Sequence, residues 1–163
     1  MKNIRIGING FGRIGRTLFR VLHQKKGIEV VAINDVADVK SLAHLLKYDS
    51  IHGTFDGEIS CSTSYILINS KSIPTSHEEK IENISWVNCD VVIESTGKFH
   101  LKSDLEKHIK AGAKKVILAS PTLSDDIKMV VLGVNDSIID ICVYNIFIYE
   151  IIIYIIYDIK LYC

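Results

Sequence analysis

The chain has 163 residues, 48% of them hydrophobic, and its 19 basic and 19 acidic side chains give a formal net charge of zero. This length predicts one principal domain with a core of its own. A neutral chain gives no electrostatic reason to expect nucleic acid or an anionic membrane surface as a partner.

Cysteine usage and the start of the chain bear on where the protein resides. The four cysteines are Cys61, Cys89, Cys142 and Cys163, and they show neither a CxxC pair nor the spacing of a metal site. The first strand-like segment begins within three residues of Met1, which leaves no room for a targeting peptide. We therefore expect reduced thiols, no bound metal and a cytoplasmic location.

The first predicted elements are a strand, a glycine-rich turn, a helix and a second strand. A strand-like segment at Asn3–Asn9 leads into Gly10-Phe11-Gly12-Arg13-Ile14-Gly15, and helical spacing of apolar residues follows. A second apolar strand at Ile28–Ile33 ends shortly before Asp35, which lies twenty residues beyond Gly15. This combination is typical of the βαβ unit that binds a dinucleotide.

Each residue of this motif has a physical task in such a unit. Gly10 permits a tight turn, Gly12 lets the backbone approach a pyrophosphate, and Gly15 lets the helix pack closely on the strand. The free N–H groups and the positive end of the helix dipole attract the phosphates. Asp35 would accept hydrogen bonds from ribose hydroxyls and repel a 2′-phosphate, which favours NAD over NADP. The alternative is a glycine-rich turn of an α/β protein that binds no ligand.

The middle of the chain continues the alternation of helix and strand. Asp38 is predicted to cap a helix that runs to about Tyr48. The segment Asp49–Pro74 is rich in Ser, Gly and Thr and alternates in places, which predicts short antiparallel strands inserted into the core. Val91–Glu94 predicts a buried strand.

Later segments complete an α/β pattern. Ser103–Glu106 has the form of a capping box, which predicts a helix that starts there and stops at Gly112. Lys115–Leu118 and Met129–Leu132 are apolar runs of strand length. We therefore predict an α/β fold: a Rossmann-type, doubly wound, mostly parallel sheet with a small antiparallel insertion.

The composition changes abruptly at about Ile148. From there to Cys163 the chain consists largely of isoleucine and tyrosine, without glycine or proline. Three interpretations remain open. The segment could be translated out of frame from an AT-rich gene, it could form an aggregation-prone edge strand, or it could anchor the chain in a membrane. The run falls short of the roughly 20 apolar residues that a transmembrane helix needs.

The motifs up to residue 147 resemble the amino-terminal, NAD-binding domain of the glyceraldehyde-3-phosphate dehydrogenase family. The resemblance divides the chain into a NAD-binding domain at residues 1–147 and an atypical tail at residues 148–163. The segments that carry it occur in the family's order and spacing, and they are Ile6–Arg16, Ile33–Asp35, Tyr48–Ser50 with His52-Gly53, Glu94–Gly97, Ala111–Ile117, Gly133–Asn135 and Tyr144–Phe147.

The resemblance implies a set of cofactor-binding residues. Arg13 and Ile14 would present backbone N–H groups to the pyrophosphate, and Asp35 would hold the adenosine ribose. Lys80 would stand near the adenine, where the family usually has an arginine. The full set that it implies is Asn9, Gly10, Gly12, Arg13, Ile14, Asp35, Lys80, Ser95, Thr96 and Gly97.

The chain departs from the family after Phe147. The family continues with Ser-Asn-Ala-Ser-Cys-Thr-Thr-Asn, whose cysteine attacks the aldehyde, whereas here Ile148-Tyr149-Glu150 follows. We therefore predict no catalytic residue among these 163 residues and no activity for this chain alone, although the family is a homotetrameric glycolytic enzyme. Three alternatives stay open: a non-catalytic NAD-binding or interaction module, the NAD domain of the sister erythrose-4-phosphate dehydrogenase, and a damaged product that barely folds.

Overall fold

A computed structural model of the chain describes residues 3–122 together with Ser124, Asp125 and Ile127. Nine strands, three helices and one short 3-10 helix at Ile81–Asn83 make up the described part. The strands are β1 (Ile4–Asn9), β2 (Ile28–Asn34), β3 (Tyr48–Asp49), β4 (Gly53–Thr54), β5 (Ile59–Cys61), β6 (Tyr65–Ile68), β7 (Lys71–Ser76), β8 (Val91–Glu94) and β9 (Lys115–Leu118). The helices are α1 (Arg13–His23), α2 (Val39–Lys47) and α3 (Lys102–Lys110).

Seven of these strands form one sheet in the order β5-β6-β7-β2-β1-β8-β9. The neighbouring strands in the part β7-β2-β1-β8-β9 of this order are parallel. At the other edge, β5 pairs antiparallel with β6, and β6 pairs antiparallel with β7. Strands β3 and β4 form a separate antiparallel ribbon. The chain leaves β1 toward β2 on one side and later returns to β8 on the other, so the sheet has its topological switch point beside β1. The predicted fold class is confirmed, including the antiparallel insertion.

The sheet is covered on both faces, which explains why its central strands are almost wholly apolar. One face packs on α1 and α2 through a cluster that includes Ile6, Ile8 and Phe19. The other face packs on α3 through a cluster around Trp86 and Leu105.

The ends of two helices were predicted with different success. The side chain of Asp38 accepts a hydrogen bond from the backbone N–H of Ser41 at 2.9 Å, so the predicted cap of α2 is confirmed. The capping box at Ser103–Glu106 is wrong, because α3 begins at Lys102 and has no side-chain cap from its N-cap residue. The N–H of Lys102 donates instead to Oγ of Ser124 at 3.2 Å. An acceptor from a distant segment therefore replaces the local one.

The remaining boundaries follow the sequence closely. Helix α3 ends at Lys110, and Gly112 has a φ of +109°, as its predicted stop requires. Asn69 and Ser70 have positive φ and form the two-residue turn between β6 and β7. The predicted strand at Met129–Leu132, the tail from Ile148 and the domain boundary lie outside the described residues. Within the described part, no helix has the length and hydropathy to span a membrane.

Candidate functional site

A groove of about 150 Å³ lies at the carboxyl ends of β1, β2 and β8. This is the switch point where open α/β sheets bind ligands. Six of the residues that the sequence predicts for a cofactor site line it, namely Asn9, Gly10, Gly12, Asp35, Ser95 and Thr96. We call this cavity the central groove.

The three motif glycines have distinct environments. Gly10 has a φ of +89°, and a Cβ there would lie 2.6 Å from the backbone nitrogen of Thr96. A Cβ on Gly15 would lie 2.1 Å from the carbonyl oxygen of Gly10, so helix α1 could not approach β1 this closely with a larger residue. A Cβ on Gly12 would meet no atom within 4 Å. The backbone at Gly12 is therefore open to a bound group, which fits a pyrophosphate at the start of α1.

Asp35 ties the end of β2 to the glycine-rich turn. Its Oδ2 accepts the N–H of Phe11 at 2.6 Å, and its Oδ1 accepts the N–H of Ala37 at 2.9 Å. Each carboxylate oxygen has a second lone pair, so the side chain can still accept hydrogen bonds from ribose hydroxyls in the central groove. This arrangement fits the predicted role of Asp35.

Arg16 holds the same turn from the other side, and sequence reasoning missed it. Its guanidinium donates to the carbonyl oxygen of Phe11 at 3.0 Å, and the residue is buried. The peptide groups flanking Phe11 are thus held by an anionic acceptor on one side and a cationic donor on the other. No local sequence signal separates Arg16 from an ordinary helical arginine.

The segment that follows β8 lines the central groove on the side away from Asp35 and β2. Oγ of Ser95 lies 2.7 Å from the carbonyl oxygen of Gly10 and 3.0 Å from that of Asn9. The backbone N–H of Thr96 donates to Glu94 at 2.8 Å. Ser95 is therefore bound directly to the end of β1 and to the glycine-rich turn, whereas Thr96 is bound to the end of β8.

Four of the predicted residues do not line the central groove. Arg13 and Ile14 form the first turn of α1, and Gly97 is exposed with a φ of +70°. Lys80 is exposed and precedes the 3-10 helix. In addition to the predicted residues, the groove is lined by Asn34, Val36, Glu78, Glu79, Lys98 and Phe99.

Glu78 reaches the groove through a contact that links distant parts of the chain. The side chain of Asn34 accepts the N–H of Glu78 and donates to its carbonyl oxygen, each at 2.9 Å. These residues are 44 positions apart, so neither periodicity nor a motif could have paired them.

The described cysteines do not resemble nucleophiles. Cys89 is buried, and burial raises the pKa of its thiol to about 11. Cys61 is exposed on β5, and neither residue lines the central groove. A nucleophilic cysteine needs a lowered pKa and access to its substrate. Cys142 and Cys163 lie outside the described residues, and within the described part no group of three His, Cys, Asp or Glu residues is placed to hold a metal.

The fold and the central groove define a class of protein: a Rossmann-type domain that binds a dinucleotide at the switch point of its sheet. The family follows from comparison with known proteins. Residues 4–102 match the family model described as the NAD binding domain of glyceraldehyde 3-phosphate dehydrogenase, and the chain belongs to that family. NAD is accordingly the cofactor of this domain.

Curated relatives extend the match beyond the family model. Glyceraldehyde-3-phosphate dehydrogenase of Geobacillus stearothermophilus is 48% identical over 136 residues, which are 82% of this chain and 40% of that protein. The enzyme of Buchnera aphidicola is 50% identical over 134 residues, 81% of this chain and 40% of the relative. A relative from Trypanosoma brucei brucei, named as cytosolic, is 47% identical over 82% of this chain and 41% of its own length. The chain thus spans about two-fifths of the length of these relatives.

Proposed function

We propose that this chain supplies the NAD site of a glyceraldehyde-3-phosphate dehydrogenase, the glycolytic enzyme that oxidises an aldehyde and adds phosphate. One observation carries the proposal. The carboxylate of Asp35 is bound to the N–H of Phe11, directly beside the open backbone of Gly12. A carboxylate that can accept hydrogen bonds from ribose hydroxyls therefore lies next to backbone N–H groups that can donate to a pyrophosphate.

The ten predicted residues have different tasks in this proposal. Gly10 and Gly12, with the first turn of α1 at Arg13 and Ile14, bind the pyrophosphate through backbone N–H groups. Asp35 holds the adenosine ribose and rejects a 2′-phosphate. When bound, NAD supplies the acceptor for hydride.

The remaining predicted residues lie around these. Ser95, Thr96 and Gly97 form the wall between the adenosine and nicotinamide halves. Asn9 supports this wall from the end of β1. Lys80 approaches the adenine from the exposed segment before the 3-10 helix.

The 163-residue chain is proposed to bind NAD without turning it over. It contains no Ser-Asn-Ala-Ser-Cys-Thr-Thr-Asn segment, and its buried Cys89 has a raised pKa. Incubation with NAD, phosphate and glyceraldehyde 3-phosphate should therefore produce no NADH absorbance. Turnover close to that of a complete enzyme of this family would contradict this part of the proposal.

Calorimetric titration of the Asp35→Ala variant tests the cofactor site. Loss of charge-assisted hydrogen bonds is expected to cost roughly 1.5–3 kcal/mol of NAD binding, about ten- to a hundredfold in affinity. It should also narrow the preference for NAD over NADP, because the repulsion of a 2′-phosphate is removed. Asp56→Ala is the matched control, since Asp56 is exposed and does not line the groove. Unchanged NAD affinity in a folded Asp35→Ala variant would refute the assigned site.

We also infer a cytoplasmic location and assembly into a tetramer. The cytosolic name of the trypanosomal relative supports the first. The second is supported by large apolar side chains on the surface of the β3–β4 region, where Tyr48 is 58% exposed and Ile51 is 79% exposed. Sedimentation velocity of the whole protein tests the assembly, and a monomer at micromolar concentration would contradict it.

A further inference from the structure

A buried carboxylate lies at the end of β8, just outside the lining of the central groove. Glu94 is fully buried, and its two oxygens face four donors. Oε1 accepts the backbone N–H of Thr96 at 2.8 Å and also the Thr96 hydroxyl. Oε2 accepts the amide of Asn9 and lies 2.9 Å from Nε2 of His108. The residue therefore gathers donors from β1, from α3 and from the groove wall.

The orientation of His108 follows from its second partner. Nε1 of Trp86 lies 2.9 Å from Nδ1 of His108, and an indole nitrogen can only donate. Nδ1 must therefore accept, which places the ring hydrogen on Nε2, facing Glu94. His108 is fully buried on α3, so no solvent competes for these contacts.

A second branch leads from Glu94 to the far side of the groove. Because the amide nitrogen of Asn9 faces Glu94, its Oδ1 is turned toward Asn34, whose amide nitrogen donates to it at 2.8 Å. Oδ1 of Asn34 then accepts the N–H of Glu78 and the hydroxyl of Ser76, at 2.9 and 2.8 Å. The amide orientations at Asn9 and Asn34 are thus set independently from both ends and agree.

We propose that Glu94 and His108 are positioning residues of the central groove. A continuous chain of hydrogen bonds runs from Trp86 through His108, Glu94, Asn9 and Asn34 to Glu78. It fixes the positions of two residues that line the groove on different sides, Thr96 after β8 and Glu78 after β7. Neither Glu94 nor His108 lines the groove, so each acts through its neighbours. The inference rests on the proposed NAD site and adds to it the residues that align its two ends.

The physical reason is that every link has only one workable direction. Reversal of any amide would bring two donors or two acceptors together in a buried site, where an unmade hydrogen bond is costly. An altered acceptor at Glu94 therefore disturbs Thr96 directly and Asn34 through Asn9. The loss of affinity should therefore extend to the adenosine half of the cofactor, although Glu94 itself does not line the groove.

The Glu94→Gln variant of the full chain tests this reach, with 5′-AMP and NAD as the titrated probes. The new amide places a donor where Glu94 now accepts only, so both affinities should fall about tenfold. The same exchange in Glu106→Gln, which is half-buried on α3 and does not line the groove, should leave both affinities at the wild-type value. Unchanged 5′-AMP affinity in a folded Glu94→Gln variant would overturn the proposal, whatever happens to NAD.

Variants of His108 separate positioning from packing. A glutamine at this position can accept from Trp86 and donate to Glu94, whereas a leucine of similar size can do neither. We expect His108→Gln to bind NAD within about threefold of wild type and His108→Leu to bind about tenfold more weakly. Equal affinities in the two variants would contradict the hydrogen-bond chain.

A measurement on the unmodified chain remains decisive if the variants fail to fold. Two-bond 15N–1H correlations of the labelled protein should show His108 with hydrogen on Nε2 and an accepting Nδ1. The opposite tautomer would overturn the proposal. If the wild-type chain fails to bind both NAD and 5′-AMP, the proposed function fails instead, and the tautomer then decides the hydrogen-bond chain alone.

Discussion

Side chains added at Gly12 and Gly15 should have opposite consequences, because the two glycines serve different purposes. The space around Gly12 is empty and its φ is −69°, so Gly12→Val should keep the stability of the fold and abolish NAD binding. Gly15→Ala should lower the melting temperature, since its Cβ would meet the Gly10 carbonyl oxygen at 2.1 Å. Thermal unfolding and calorimetry of both variants check this pair, and NAD binding by Gly12→Val at the wild-type affinity would refute the phosphate site.

The described thiols should differ sharply in reactivity. Burial raises the pKa of Cys89 to about 11, whereas Cys61 is exposed on an edge strand. Brief alkylation of the folded chain at pH 8, followed by peptide mass spectrometry, should modify Cys61 and spare Cys89. Unfolding in urea should then expose Cys89 to the reagent. Rapid modification of Cys89 in the native chain would show that its cluster with Trp86 opens readily.

Among single residues, local sequence predicted those whose task is local. The turn glycines and Asp35 are recognisable because a βαβ unit requires them at fixed distances along the chain. Arg16 and Asn34 were missed, since no short pattern identifies their contacts. The guanidinium of Arg16 donates to one carbonyl oxygen, and the amide of Asn34 bonds side chains and backbone groups of distant segments. The role of Glu94 was hidden for the same reason, because its partner Asn9 lies 85 positions away.

At the scale of elements, one ion-pair cluster ties together the amino ends of three neighbouring strands. Asp90, just before β8, accepts from Arg5 on β1 at 3.2 Å and from Lys114, just before β9, at 2.8 Å. These hydrogen bonds hold the pKa of Asp90 well below its usual range.

A pH dependence follows from this lowered pKa. The unfolded chain binds a proton at Asp90 below about pH 4 while the native chain does not, so stability falls as the pH drops through that window. Asp90→Asn should lower stability at pH 7 and flatten the loss between pH 5 and pH 2. Urea unfolding at each pH measures this, and parallel curves for the two proteins would refute the assignment.

Elements were predicted well where hydrophobic periodicity and caps are local. Strand β8 was located to the residue and α2 with its cap, because a buried parallel strand and an Asp N-cap leave clear local signals. The start of α3 was misplaced by the same reasoning. Its capping acceptor belongs to Ser124, which lies 22 positions away from Lys102, so the local capping box was irrelevant.

At the scale of the whole molecule, the central groove lies at the switch point of the seven-stranded sheet. The switch point is a consequence of strand order, and strand order follows from the βαβ connections that the sequence displays. The amide and carboxylate contacts across the ends of β2, β1 and β8 are consequences of that order. They could therefore be found only once the strands were placed side by side.

The most direct test of the central claim is urea unfolding of the chain with and without NAD. A native cofactor site should add about 2.7 kcal/mol to the free energy of unfolding when NAD is present at about 100 times its dissociation constant. NADP at the same concentration should stabilise the chain less, because Asp35 disfavours a 2′-phosphate. Superimposable unfolding curves with and without NAD would contradict the account.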